Sequence, residues 1–170
     1  QNALSGSDFV DLVAGMSIEE RETAAVREIL SGNVPSFSRK LKALKICHIH
    51  DGKSYELVYY ATCDYMAIGS DEDFLRIPLS FPSAVAAAQA FDCVLPTRKM
   101  VDAIYDQATC HLKPDPLPPG AKMRSFEYYL SSEAPAKEFD FASPIVSHHR
   151  NSLRWRNVVA WRQRFWKDKV

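Results

Sequence analysis

Glycine is scarce in this chain, with 6 residues among 170, and none of them falls in a G-x-x-x-x-G-K-[ST] or G-x-G-x-x-G pattern, whose backbone amides would cradle phosphate. There is no G-x-S-x-G elbow and no H-E-x-x-H pair either, so serine-elbow hydrolases, P-loop enzymes, Rossmann dehydrogenases and helical zinc proteases are disfavoured. The 4 cysteines (Cys47, Cys63, Cys93 and Cys110) lack the C-x-x-C spacing of a zinc ribbon or a thioredoxin-like site. No apolar run approaches the roughly 18 residues of a membrane span. The sequence carries no cofactor motif, and we expect neither a cofactor nor a resident metal.

The chain also has no net charge: 21 basic and 21 acidic side chains cancel. A globally basic nucleic-acid binder is therefore not expected. The zero is a sum of two unequal parts. Residues 1–149 hold 14 Lys or Arg against 20 Asp or Glu, whereas residues 150–170 hold 7 against 1, so the body carries −6 and the last segment +6.

What is present reads as one α+β domain over 1–149 followed by a basic extension over 150–170. Ser7-Asp8 opens an apolar helical pattern through Phe9, Val10, Leu12 and Val13 that Gly15 closes. Ser17 and Glu20 have the spacing of a capping box, and the helix they start runs to Gly32. From Leu41 to Thr62 the pattern has period two around Asp51-Gly52, the dipeptide of a two-residue hairpin turn. Paired positions then sum to 103. His50 faces Lys53, His48 faces Tyr55, Ile46 faces Leu57 and Leu44 faces Tyr59, while Cys47 and Cys63 are too far apart to bridge. Short strands near Tyr65 to Ile68 and Phe74 to Ile77 flank the acidic turn Asp71-Glu72-Asp73 and extend the hairpin into a small antiparallel meander. Ser80 or Ser83 caps an Ala-rich helix, and Thr97 caps another over Arg98 to Ala108 with Met100, Val101, Ile104 and Tyr105 inward. Four prolines between Lys113 and Gly120 form a semi-rigid connector.

Four constellations bear on function. His48 and His50 place two imidazoles on one strand face, a chelating arrangement that needs a third ligand such as His111 or Asp64. The acidic turn lacks the glycine and ligand periodicity of a calcium loop and reads as solvated. Cys63 and Cys93 read as buried, inert thiols. At the C-terminus, Trp155, Val158, Val159, Trp161, Phe165 and Trp166 share an arc of about 160° on a helical wheel, with Arg and Lys opposite. Such a helix packs on its own domain, or engages a protein partner or a second copy.

The run from Asp64 to Leu79, Asp-Tyr-Met-Ala-Ile-Gly-Ser-Asp-Glu-Asp-Phe-Leu-Arg-Ile-Pro-Leu, followed by Leu95-Pro96-Thr97-Arg98-Lys99-Met100-Val101-Asp102, resembles a family of uncharacterised, exported bacterial proteins. Members of that family continue into a Gly-Trp-His element and an Asp-Tyr-Ser-His-Gly element, neither of which occurs here. The resemblance implies a secreted or periplasmic location, the signal peptide having been removed. It also implies a shared scaffold presenting Thr97, Arg98, Lys99 and Asp102 at a pocket; from the strand pattern, His48 and His50 are added to these as pocket candidates. Two expectations follow: a hydrolase-related exported protein associated with cell-wall material, or a non-enzymatic binding or scaffold protein that uses its sheet or its C-terminal aromatic helix.

Overall fold

The computed structural model describes residues 3–111, together with Leu130 and the strand residues Val146 and Ser147. The proline connector and the Trp-rich segment lie outside the described residues.

Helix α1 (Gly6–Val13) is capped two residues earlier than the Ser7-Asp8 signal suggested. Its cap is Ser5, whose side chain accepts from the Asp8 amide while the Asp8 carboxylate accepts from the Ser5 amide. Helix α2 (Ile18–Leu30) carries the expected capping box. The Glu20 carboxylate accepts from the Ser17 amide at 2.8 Å, and the Ser17 hydroxyl accepts from the Glu20 amide at 3.2 Å. These hydrogen bonds from Ser17 hold the Glu20 carboxyl below its ordinary pKa. Gly32, with φ +86°, turns the chain out of the helix.

A 3-10 turn (Ser36–Arg39) leads to strand β1 (Leu41–His50), which pairs antiparallel with β2 (Lys53–Thr62) in the register summing to 103 throughout. Asp51 and Gly52 supply the positive φ angles, +48° and +72°, of the turn. Strands β3 (Ala67–Gly69) and β4 (Phe74–Arg76) follow. They pair with each other and not with the first hairpin, so the expected meander is two separate two-stranded sheets. The break comes at Asp64. Its carboxylate accepts from the Tyr65 amide at 2.7 Å and from Nε and Nη2 of Arg76 at 2.9 and 2.6 Å, turning the chain off the β2 ladder.

Helix α3 (Phe81–Ala90) begins with Pro82 in its first turn, and neither Ser80 nor Ser83 caps it through a side chain. The Ser80 amide is instead taken by Glu22 of α2 at 2.8 Å. Partial burial raises the Glu22 pKa, but hydrogen bonds from Ser80 and Ser83 outweigh it and leave the carboxyl below its usual value. Helix α4 (Arg98–Gln107) has Thr97 as its cap, accepting from the Met100 amide at 3.4 Å. A short parallel pair, β5 (Cys110–His111) with β6 (Val146–Ser147), brings a distant part of the chain to the end of α4.

These elements form two main apolar cores. The larger gathers Phe9, Val13, Ala25, Ile29, Ile68, Leu75 and Ala87 from α1, α2, the β3–β4 sheet and α3, with Leu130 packed against it. The smaller joins Leu44, Tyr59 and Ala61 of the first hairpin to Met100 and Ile104 of α4. Phe37 and Phe74, edge to face with centroids 5.0 Å apart, pack with Ala67 in a third, minor cluster.

The acidic turn is not merely solvated. Asp73 accepts from the Gly6 amide through its carbonyl and from the Ser7 amide through its carboxylate, so it caps α1 from outside. Asp71 takes the amide and the hydroxyl of Ser36, and these contacts depress its pKa. Two of the three carboxylates of this turn, those of Asp71 and Asp73, thus hold the starts of neighbouring segments.

Candidate functional site: a cleft between the hairpin and helix α4

The first hairpin is longer than the core it covers. Near its base Leu44 and Tyr59 are buried, and the Tyr59 hydroxyl donates to the Met100 carbonyl at 2.9 Å, tying α4 across the sheet. Burial pushes the Tyr59 phenol up to about 12. Beyond this contact the hairpin stands out as an arm. Ile49 is 73% exposed, Tyr55 54%, Leu57 45% and Val58 41%, an apolar concentration that a solvated hairpin does not need.

Where the arm leaves α4, a cavity of about 200 Å³ opens, lined by Ile46, His48, Tyr55, Glu56, Leu57, Thr97, Lys99 and Met100. Pleat geometry explains the strand side. Ile46 and His48 alternate onto one face of β1, and their partners Leu57 and Tyr55 onto the same face of β2. The N-terminal turn of α4 supplies the other wall.

Of the residues expected at a pocket, the structure brings His48, Thr97 and Lys99 together. Arg98 and Asp102, four residues apart, share a different helix face and do not line the cavity. His50 lies toward the turn, its ring nearly parallel to that of His48 at a centroid distance of 6.4 Å and its Nε2 3.4 Å from Asp51 Oδ2. The His48 and His50 pair gains no third ligand among the described residues. Among the described residues no group of three or more His, Cys, Asp or Glu is placed to hold an ion. The His111 ring lies instead against Tyr105, centroids 4.6 Å apart.

The thiols fall as expected among the described residues. Cys63 and Cys93 are buried and donate to the carbonyls of Lys40 and Phe91, and burial raises the Cys63 thiol. Cys47 is exposed on the arm.

Chemically the cleft is an apolar slot with one polar side. Glu56 forms an ion pair with Lys45, which raises the pKa of the Lys45 ammonium. That leaves Lys99 as the lining cation with no ion pair among the described residues. Thr97 spends its hydroxyl oxygen on the helix cap. Such a slot suits recognition of an apolar side chain beside a negative charge.

Sequence reasoning did not single out Tyr55, Leu57, Ile46 or Met100 as site residues. The register had already put the first three on the His48 face; the missing fact was that α4 crosses that face only halfway. The chain matches no protein-family model, no curated protein and no solved structure. No helix among the described residues is long and apolar enough to cross a membrane.

Proposed function

We propose that this protein is a non-enzymatic binding module that engages a partner polypeptide through the arm of the first hairpin. The observation that carries this reading is the cleft of about 200 Å³ under an arm whose Tyr55 and Leu57 are exposed on the cleft face. A slot of that size receives one large aliphatic or aromatic side chain, and Lys99 favours an acidic neighbour next to it. The resemblance to exported bacterial proteins adds an extracytoplasmic setting. The hydrolase-related alternative would draw on His48 and Lys99, and the one carboxylate lining the cleft with them, Glu56, is ion-paired with Lys45.

The test is selection of phage-displayed peptides on the full-length protein, followed by anisotropy titration of the selected peptides. Peptides with an aromatic or large aliphatic anchor flanked by Asp or Glu are expected. Lys99→Glu should weaken them by about tenfold, and Leu57→Asp should abolish binding with the circular dichroism spectrum unchanged. Failure to select any peptide, or selected peptides indifferent to both substitutions, overturns the reading.

A further inference from the structure

Strand β1 has one edge on β2 and one edge turned outward. In a hairpin with a two-residue turn the flanking pair, His50 and Lys53, exchanges both hydrogen bonds, and every second pair after it does the same. The amide and carbonyl groups of Lys45, Cys47 and Ile49 therefore point away from β2. One observation confirms this phase. The Gln107 side chain donates to the Lys45 carbonyl at 3.0 Å and accepts from the Lys45 amide at 3.3 Å, the two bonds a neighbouring strand would make. No described residue takes up the equivalent groups of Cys47 and Ile49, and both residues are exposed.

We propose that this remaining edge pairs antiparallel with the same edge of a second copy, about a two-fold axis at His48. In that register Cys47 faces Ile49 of the second copy and Ile49 faces its Cys47, which gives four backbone hydrogen bonds. The pairing ends where Gln107 takes over at Lys45. The register is also complementary in charge. Lys45 comes beside Asp51 of the second copy, twice by symmetry, and Ile46 lies opposite His50. On the face away from the cleft, Ile49 and Cys47 meet their counterparts across the seam in one apolar cluster, which covers the most exposed large apolar side chain of the described residues. Registers one or two residues away lose these features: centring on Cys47 sets Ile49 against the already occupied Lys45. The result is a four-stranded sheet with the order β2, β1, β1, β2, and an isologous dimer. This inference rests on the strand edge and is independent of the cleft's ligand.

A contact of this size is weak and concentration-dependent. Sedimentation equilibrium of the full chain, without added peptide, should show dimer appearing as the concentration approaches roughly 1 mM. Hydrogen exchange at the amides of Cys47 and Ile49 should slow over the same range. Ile49→Lys puts a charge on the edge and should raise the dissociation constant by about tenfold or more, with the monomer's circular dichroism unchanged. A protein that stays monomeric, or a dimer that persists in Ile49→Lys while both amides exchange freely, overturns the proposal.

Discussion

Tyr59 shows how much one side chain carries in the smaller core. It is almost wholly buried, sits under α4 and donates its hydroxyl to the Met100 carbonyl. Tyr59→Phe should cost about 1 kcal/mol in urea denaturation at pH 7, because the phenyl ring still fills the site but the carbonyl loses its donor. The same residue gives a pH signature. Its folded pKa, about 12, lies above the value of about 10 for an unfolded tyrosine, because burial disfavours the phenolate. The unfolded chain thus gives up its proton first as the pH rises. The stability tied to the neutral phenol is complete below about pH 10 and is lost as the pH climbs toward 12. The Phe variant should therefore show less loss between pH 9 and about 11 than the parent, which denaturation curves at the two pH values would measure.

Between elements the tightest junction is where α1 meets the β3–β4 turn. Gly69 has φ +114°, and a Cβ there would lie 2.3 Å from the Asp73 carbonyl oxygen and 2.7 Å from the Gly6 nitrogen. Gly69→Ala must therefore both strain the backbone and separate the Gly6 amide from Asp73, so a loss of about 2–3 kcal/mol is expected. Gly15→Ala is the matching control. A Cβ at Gly15 meets nothing within 4 Å, and that variant should be neutral or slightly more stable in the same thermal melt. The elements themselves were largely legible in the sequence, because their signals are local: Ser17 with Glu20, Asp51 with Gly52, and Thr97 ahead of Met100 each act within a turn. What escaped were contacts across long separations. Asp73 reaching α1, Glu22 reaching Ser80 and Gln107 reaching Lys45 leave no periodic trace. For the same reason half of the expected pocket assembled and half did not. His48, Thr97 and Lys99 meet only because of how α4 crosses the hairpin, and the helical phase that brings Thr97 and Lys99 in carries Arg98 and Asp102 out.

At the scale of the whole molecule, the division into two main cores sets where the protein yields first. The hairpin and α4 are joined by a short list of buried residues, whereas α1, α2, β3, β4 and α3 share many. Met100→Ala should remove about 2–5 kcal/mol from the smaller core. Native-state hydrogen exchange should then show the amides of Leu44, Ile46 and Tyr59 losing protection well before those of Ala25, Ile29 and Ile68. Equal loss in both sets would mean that the two cores open as one. The joint that holds the halves in register is the Asp64–Arg76 pair, with both side chains almost fully buried. Removing either partner alone strands a charge in the interior at a cost of about 3–5 kcal/mol, whereas exchanging both for apolar residues need cost little. In the course of sequence divergence the two positions are therefore bound to each other. Drift at one is closed until the other has moved, and descendants of this chain should keep both charges or neither.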